Sequence, residues 1–497
     1  MAVRGVYTAA EERMMKAWEE DWRSLVGWMG ETRSREIPYP IFHRVATKDL
    51  IEHFACAADY WNPLWRDEKY AINTRWGGVI APPFYYECIS HSGPRAYFLK
   101  VAPDVGVLTH LYVMTYREFF QPIRLNDSFK VFIGAPKLED VTREDGESER
   151  VFKVSDTLLF ENQRGELTST FYRSGFTHIL PPGSKHFLDE RLRFTEELAY
   201  SKEDLAAVYA VEDAEEIRGA RIRYWEDVSA GDELNPIVKG PLTPWDAVID
   251  IQAMGVANLP VRECRKQTPG RMVVDPVTNI PHKSAESHMV RQIAELQPFD
   301  LAHYSTSLQP ISVENFLGRL VTNWMGDDGF LRKIRWQRFC NVCMGDTIFG
   351  RGEVARTYVE NGEYLVDIYV RIETIRGYVS TVGLVTVSLL SRDKIFTRNE
   401  PPVFVPASMA DGKMYGTEAD SYPRAPASKF KAGDRIRIKD RPDWPMPGEY
   451  KLAGKTATVY DYFVDPEGYV VAQLDDEVTG IDTRVPLGFK MDLVEKI

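Results

Sequence analysis

One short segment occurs twice in this chain of 497 residues, and the repetition constrains the fold more than any other feature. The first copy is FENQRGE at residues 160–166, and the second is IETIRGY at residues 372–378, 212 positions later. Asp127 and Asp346 form a second matching pair, because each lies at a turn that opens a strand. The order of the pairs is the same in both halves of the chain.

A third correspondence lies upstream of these two. Trp65 is followed six residues later by Ala71, and His288 is followed six residues later by Ala294. The three displacements range from 212 to 223 residues. Such agreement predicts that one domain of roughly 200 residues has been duplicated.

The pattern of apolar residues indicates an α+β unit in the first copy. Spacings of three and four predict helices at residues 9–29 and 49–60. Alternating β-branched and aromatic residues then predict an antiparallel sheet with strands at residues 107–120, 128–132, 150–161 and 167–175. In the second copy, we expect a helix over residues 313–322 and a strand from about Ile334.

These patterns divide the chain into five segments. We expect an N-terminal domain with its leading helix at residues 1–185, a helical linker at 186–215 and a second domain at 216–394. A proline-rich linker follows at residues 395–428. The remaining segment, 429–497, predicts short strands at 434–439, 455–463, 468–474 and 483–486, which is typical of a small all-β SH3-like barrel.

Composition and charge exclude several classes of partner. A net charge of −12 without a block of basic residues disfavours nucleic acid and anionic membranes. No apolar run is long enough to span a bilayer, and the charged amino terminus lacks the apolar core of a signal peptide, so we expect a soluble cytoplasmic protein. The five scattered cysteines predict reduced thiols, and the single CxxC at Cys340 and Cys343 is too isolated to indicate a metal. We expect no metal and no cofactor.

The stretch from residue 59 to residue 83 resembles the hydratase signature of MaoC-like acyl dehydratases, the (R)-specific enoyl-CoA hydratases. Asn62 and Pro63 stand at the family's Asn-Pro positions, and Asp67 and Ala71 match the residues that follow. Residues 77–82 match the Gly-Gly-x-x-Ala-Pro segment. The resemblance implies tandem hot-dog domains that form a pseudo-dimeric double hot dog, and it covers nearly all of residues 40–395.

The signature is altered at the positions that carry the chemistry. In the family, an Asp and a His form the acid/base pair, but Tyr60 and Trp65 occupy these positions here. Asp59 lies one residue early and serves only if the loop is shifted by one position. The second copy keeps the histidine as His288, with Lys283 at the aspartate position.

The resemblance therefore implies His288 and Asp59 as candidate catalytic residues. His288 follows a turn-rich segment that leads into a helix, a context suited to an acid/base residue. Trp65 cannot transfer protons at neutral pH and is better suited to a pocket wall. The candidate substrate-binding residues are Tyr60, Asn62, Trp65, Asp300 and Tyr304. Each of these also has a structural interpretation as a cap, a core residue or a solvated side chain.

Residues 429–497 resemble the SH3-like domain of nitrile hydratase β subunits. The similarity lies in Phe430, the Gly433–Arg437 turn and strand, Tyr450, Gly454 and the end of the chain at 492–495. The metal motif of nitrile hydratase belongs to its other subunit, so no nitrile chemistry follows.

The resulting hypothesis is an acyl-CoA hydratase/dehydratase that acts on a 2-enoyl or 3-hydroxyacyl thioester with a bulky acyl group. We expect a homo-oligomer, with a hetero-complex through the SH3-like module as an alternative assembly. Two other functions stay open. The chain can be a noncatalytic or scaffold subunit built on degenerate hot-dog domains, or it can act on a substrate that is not a CoA thioester.

Overall fold

The computed structural model describes most of the chain, in segments separated by gaps. The described residues are 2–23, 26–28, 43–90, 107–142, 149–180, 199–255, 272–274, 281–283, 310–340, 342, 345–393, 429–446, 449–460, 468–478, 481 and 486–497. Within them, no helix combines the length and the apolar character that crossing a membrane requires.

The first repeat places helices before a long antiparallel sheet. Its helices are α1 (Ala9–Arg23), α2 (Lys48–Ala58), α3 (Glu68–Ala71) and α4 (Tyr86–Ile89). Its strands are β1 (Gly27–Trp28), β2 (Val107–Phe119), β3 (Phe129–Ile133), β4 (Lys137–Asp140), β5 (Arg150–Asn162) and β6 (Leu167–Leu180). The main strands pair in the order β3, β5, β6, β2. All four of the strands predicted for this repeat are therefore present.

The second repeat follows a connecting helix, α5 (Lys202–Asp213). It comprises β7 (Ile237–Lys239), α6 (Pro244–Met254), β8 (Met272–Val274), β9 (Pro281–Lys283), α7 (Pro310–Met325), β10 (Phe330–Arg338), β11 (Ile348–Glu360), β12 (Glu363–Thr374) and β13 (Val379–Ser388). Its main strands pair as β11, β12, β13, β10, which is the order of the first repeat. Helix α7 packs against β10, β11 and β12.

The strand register shows that the two repeats are equivalent position by position. Tyr116 lies opposite Tyr172, and Arg335 lies opposite Leu384, which is 212 residues after Tyr172. Tyr116 and Arg335 also lie opposite each other where β2 pairs with β10. Equivalent residues therefore meet at the junction, and a pseudo-twofold axis passes between them. Two such half-sheets with helix α7 form the expected double hot-dog architecture.

The repeated sequence motif lies at the same hairpin in both halves. Gly165 and Gly377 have φ values of 74° and 89°, and each donates its backbone N–H to the residue three positions earlier. Arg164 contacts Asp127 at 2.7 Å, and Arg376 contacts Asp346 at 3.1 Å. The left-handed backbone requires glycine at this turn, which explains why the motif has persisted in both copies.

A buried ion cluster joins the repeats beneath the junction. The guanidinium of Arg117 in β2 contacts Glu314 of α7 at 3.0 Å and also pairs with Glu87 of α4. The Trp336 indole donates to Glu314 at 3.2 Å. Because all four side chains are buried, removal of Arg117 would take away the cation that the two glutamates share in the core.

The leading helix is shorter than the predicted span of residues 9–29. Helix α1 ends at Arg23, and Gly27–Trp28 forms an edge strand that pairs with Phe132 and Ile133. Gly27 has a φ of 125°, which a helix cannot accommodate. Pairing with the edge of β3 therefore prevails over the helical apolar spacing in this segment.

The C-terminal segment forms a small antiparallel sheet that joins the sheet of the second repeat where Val379 of β13 pairs with Gly488. Its strands are β14 (Arg435–Ile438), β15 (Thr456–Val459), β16 (Tyr469–Leu474), β17 (Leu487–Lys490) and β18 (Val494–Lys496). They pair in the order β17, β16, β15, β14, β18. The fourth strand begins at Leu487, after the span predicted at 483–486, most of which lies outside the described residues.

This module packs directly on the second repeat. Tyr450 donates its hydroxyl to the Gly377 carbonyl at 3.1 Å, and Arg441 contacts Glu373 at 3.5 Å. Met446 belongs to a buried cluster with Val208 of α5 and Phe349 of β11. The module thus also contacts the helix that connects the two repeats.

Candidate active site

The candidate site begins where α2 ends, at Asp59. The backbone N–H of Asp59 donates to the Ala55 carbonyl at 2.9 Å, so Asp59 is the C-terminal cap of the helix. Helix α2 itself is fixed at its start by Thr47, whose hydroxyl accepts from the Leu50 N–H. Its buried face contains Ile51, Phe54 and Ala58, which hold Asp59 against the core.

The side chain of Asp59 turns inward and meets Trp65. The indole Nε1 of Trp65 donates to Oδ2 of Asp59 at 3.3 Å, and the two side chains are buried. Asp59 and Trp65 thus form a buried hydrogen-bonded pair within the signature-like loop.

Burial changes the acidity of this carboxyl group. The loss of solvation raises the pKa of Asp59 from 3.8 to about 6. Hydrogen bonds from Trp65 and Asn62 and the positive charge of Arg319 oppose this rise without cancelling it. An aspartate with this pKa exchanges protons near neutral pH, as a general acid or base must.

A cavity of about 600 Å³ lies beside Asp59. Its walls come from the end of α2, the segment after α5, strand β7 with the following turn, and helices α6 and α7. The charged lining residues are Asp59, Glu212, Glu215, Lys239, Asp246 and Arg319. The apolar part of the lining includes Val238, Ile249 and Phe316. The cavity can hold a small organic molecule with a polar group near Asp59.

Two ion pairs organise the charged wall. Arg319 contacts Glu215 at 2.7 Å and also donates to the Val238 carbonyl at 3.0 Å. Lys239 lies 3.9 Å from Asp246. The pairs come from different elements, so α5, β7, α6 and α7 must be correctly packed before the wall is complete.

Asn62 and Trp65 line a different, smaller cavity of about 40 Å³. Asn62 is buried, and its Oδ1 accepts from the Leu64 N–H at 3.1 Å, capping the short 3-10 helix Pro63–Trp65. The lining also includes Trp76, Ile80 and Met325. Asn62 therefore has the structural role of a cap, and Trp65 forms an apolar wall that reaches Asp59 through its indole N–H.

Tyr60 differs from its neighbours in being largely exposed. The guanidinium of Arg66 lies 3.9 Å from the centre of the Tyr60 ring, and Trp61 packs edge-on against that ring. Both aromatic residues lie at the outer rim of the 600 Å³ cavity. Tyr60 can contact a ligand only at the entrance of that cavity.

Three of the candidate residues from the sequence, His288, Asp300 and Tyr304, lie outside the described residues. The structure therefore brings together Asp59, Asn62 and Trp65, leaves Tyr60 at the margin, and does not address the other three. Throughout the described segments, no group of three or more His, Cys, Asp or Glu residues is placed to hold a metal ion.

Arg319 and Glu215 were not identified in the sequence. A signal existed for Arg319, because it is a cation within the apolar helical run at residues 313–322. Glu215 lies among other acidic residues at the end of α5 and has no distinguishing pattern. Its pairing with Arg319, 104 positions away, depends on the tertiary fold.

The turn at Asp327 and Asp328 fastens the loop of the first repeat to the second repeat. Tyr70 donates its hydroxyl to Asp327 Oδ2 at 2.5 Å, and the Trp76 indole donates to the Asp327 carbonyl at 2.7 Å. Arg75 donates to the Asp328 carbonyl at 2.6 Å. These bonds hold the signature-like segment, residues 59–83, in place. The Asp327–Asp328 turn of the second repeat thereby supports the candidate site.

Comparison with known proteins gives a match in the first repeat. Residues 39–170 match the family described as "FAS1-like, dehydratase domain region". This range contains Asp59, Trp65 and the strands β2 to β5. A comparison with curated proteins found no match.

Several solved structures are similar at low sequence identity. A MaoC-like dehydratase has 17% identity and a TM-score of 0.45, and the alignment covers 72% of this chain and 99% of that one. A putative MaoC domain dehydratase from Chloroflexus aurantiacus has 11% identity and a TM-score of 0.40, with coverage of 70% and 93%. A conserved hypothetical protein from Mycobacterium tuberculosis, described as having a double hotdog fold, has 9% identity and a TM-score of 0.40, with coverage of 69% and 92%.

The double hot-dog architecture follows from the repeated strand order and register, and the family match concerns the first repeat alone. The chain thus has a double hot-dog architecture. Within its first repeat, residues 39–170 are similar to a dehydratase domain region.

Proposed function

We propose that this protein is a hydratase/dehydratase that adds water to, or removes it from, an acyl thioester. The observation that carries the proposal is Asp59, a buried carboxyl group with a pKa near neutrality at the wall of a large cavity. The dehydratase-region match of residues 39–170 supports the same reaction class.

Hydration of a 2-enoyl thioester requires one proton to leave water and another to reach the α-carbon. In the proposed reaction, the Asp59 carboxylate takes a proton from a water molecule while the water oxygen bonds to the β-carbon. The electron pair of the double bond moves towards the thioester oxygen. The protonated Asp59 then gives its proton to the α-carbon and returns to the carboxylate, and dehydration is the same sequence in reverse.

Trp65 has a positioning role in this proposal. Its indole N–H is a donor only, so it cannot carry a proton between substrate and water. It stabilises the ionised form of Asp59 and keeps the pKa of that group from rising further. Removal of Trp65 should therefore change the acidity of Asp59 while leaving a carboxyl group in the site.

His288 is proposed as a second acid/base residue, on the basis of its position in the family signature. The proposed substrate contacts are Asp300, Tyr304, Tyr60 and Asn62. Tyr60 would act at the cavity entrance and Asn62 through the loop that it caps.

The carrier is proposed to be CoA, and the C-terminal module is proposed to be an SH3-like barrel. A bulky acyl group would occupy the apolar side of the cavity, near Ile249 and Phe316.

The test is an assay of the purified protein against a panel of 2-enoyl and 3-hydroxyacyl thioesters on CoA and on pantetheine. We expect turnover by the wild type, a loss of at least about 100-fold in Asp59→Asn, and near-normal activity in Asp49→Asn. Asp49 is an exposed carboxylate of the same helix and serves as the matched control. A further variant, His288→Ala, tests the second residue.

Absence of turnover on every thioester, by a folded wild-type protein, would contradict the proposal. It would favour a noncatalytic subunit, for which the replacement of the family histidine by Trp65 is the supporting observation. A stable hetero-complex, without any rise in melting temperature on addition of thioesters, would be the positive sign of that alternative.

A further inference from the structure

Arg319 is a cation in the apolar middle of helix α7, and its surroundings hold it in one orientation. One nitrogen, Nη2, donates both to Glu215 at 2.7 Å and to the Val238 carbonyl at 3.0 Å. The guanidinium lies 5.8 Å from the centre of the Phe316 ring. A long side chain anchored at three places loses little further freedom when it binds a ligand.

The other side of the guanidinium is available to the cavity. Arg319 lines the cavity together with Asp59, and about a quarter of its side chain is exposed. Both hydrogen bonds of the guanidinium use Nη2, so no residue in the described part of the chain accepts a hydrogen bond from Nη1. Arg319 and Asp59 line the same cavity, and the positive charge of Arg319 opposes the rise in the pKa of Asp59 that burial causes.

A second cation at the same cavity provides a comparison. Lys239 is also partly exposed, but its ammonium group faces Asp246 at 3.9 Å. It belongs to the part of the wall formed by β7 and α6. The charged side chains that act most strongly on the pKa of Asp59 are Arg319 and Glu215. The two cations therefore differ: Lys239 faces Asp246, whereas Arg319 lowers the pKa of Asp59 and has no acceptor for Nη1 among the described residues.

From these contacts, we infer that Arg319 binds the carbonyl oxygen of the substrate and stabilises the negative charge that develops there. This inference rests on the proposed function, because it assigns Arg319 a role at the Asp59 site. A guanidinium with a free N–H, fixed beside the acid/base carboxyl group, meets the requirement for a preorganised donor. The ligand class is a neutral acyl compound with a polarisable carbonyl group.

Glu215 is the positioning residue for Arg319. It holds Nη2 through one carboxylate oxygen and accepts from the Asn323 side chain at 2.8 Å through the other. Asn323 lies in the last turn of α7 and is itself buried. The segment after α5 is thereby tied to α7, and the orientation of Arg319 depends on this tie.

The decisive experiment measures binding without turnover. Two ligands are compared by calorimetry: a saturated acyl thioester and the matching alkyl thioether, which lacks the carbonyl oxygen. We expect the wild type to bind the thioester at least about 10-fold more tightly than the thioether. In Arg319→Met the preference should vanish, and in the control Arg23→Met, which changes an exposed arginine of α1 outside the cavity, it should persist.

A kinetic measurement complements the binding test. Arg319→Met should lower kcat on enoyl thioesters by roughly 100-fold or more, with a smaller change in KM. Low concentrations of guanidinium should restore part of the turnover of Arg319→Ala and none of that of Asp59→Asn. Rescue by the missing group identifies a chemical role, which a merely structural arginine would not show.

The outcomes separate the two proposals. If the wild type discriminates between the ligands but turns over no thioester, the hydratase proposal falls and the role of Arg319 in carbonyl binding stands. If the wild type is active but Arg319→Met, folded by its melting temperature, keeps the ligand preference, the inference about Arg319 is wrong. The inference is equally wrong if the control Arg23→Met loses the preference as strongly as Arg319→Met.

Discussion

The indole nitrogen of Trp65 donates a hydrogen bond to the Asp59 carboxylate at 3.3 Å, across six positions of one loop. Only one member of this pair can exchange a proton, because the indole N–H is a donor only.

The first prediction concerns stability and pH. Because the pKa of Asp59 is raised from 3.8 to about 6 in the folded state, the folded protein binds a proton more tightly than the unfolded chain. The associated stability is present below about pH 4 and is lost as the pH rises through about 6. Asp59→Asn cannot ionise, so it should be more stable than the wild type by about 3 kcal/mol at neutral pH.

Urea unfolding at a series of pH values measures this difference. The free energies of unfolding of Asp59→Asn and the wild type should agree most closely below about pH 4, diverge as the pH rises from about 4 to about 6, and keep a constant separation above that. A difference that is constant with pH would mean that the carboxyl group titrates normally. Asp49→Asn is the control and should show no such separation.

The second prediction concerns Trp65→Phe. Phenylalanine keeps an aromatic ring in the core but removes the indole N–H that stabilises the ionised carboxylate. The pKa of Asp59 should therefore rise further, and the pH at which activity changes should move upward with it. The measurement is the pH profile of kcat/KM for the variant. An unchanged profile would show that the indole N–H has no influence on Asp59.

The third prediction concerns docking of the C-terminal module at Gly377. Gly377 has a φ of 89°, and a Cβ atom built there would lie 2.2 Å from Cε2 of Tyr450. Gly377→Ala should therefore strain both the hairpin and the module contact, at a cost of about 2 kcal/mol or more. The expected result is a lower melting temperature and faster proteolysis near residue 450.

Gly165→Ala provides the matched control, since it changes the equivalent glycine of the first repeat. Gly165 has a similar φ of 74°, but no atom lies within 4 Å of a Cβ built there. It should show the backbone strain without the clash. Equal losses of stability in Gly377→Ala and Gly165→Ala would show that the contact with Tyr450 adds nothing to the cost of the substitution.

Much of the fold could be predicted from the sequence because the relevant signals are local. The repeated segment at residues 160–166 and 372–378 encodes a hairpin whose turn requires glycine, and strand alternation marks the elements on either side. These features identify the duplication without any knowledge of tertiary contacts. The edge strand at Gly27 was missed because pairing with β3 depends on residues more than a hundred positions away.

The candidate site could be predicted only in part. Asp59 was identified because it adjoins a recognisable motif, but its altered acidity arises from burial by distant elements. Arg319 acts on it from the central helix of the other repeat, and Glu215 orients Arg319 from the connecting segment. No spacing in the sequence relates these three residues. Their relationship is created when the two repeats meet across the pseudo-twofold axis.

The fourth prediction tests the central claim, that Asp59 is the acid/base residue of a hydratase. The measurement is the pH dependence of kcat/KM for hydration of a 2-enoyl thioester. In the wild type, it should rise with pH to a midpoint near 6, because the ionised carboxylate is the base that accepts the proton from water. Asp59→Asn should retain no more than about 1% of this activity and should lose the midpoint. Retention of the same midpoint and rate in Asp59→Asn would contradict the claim.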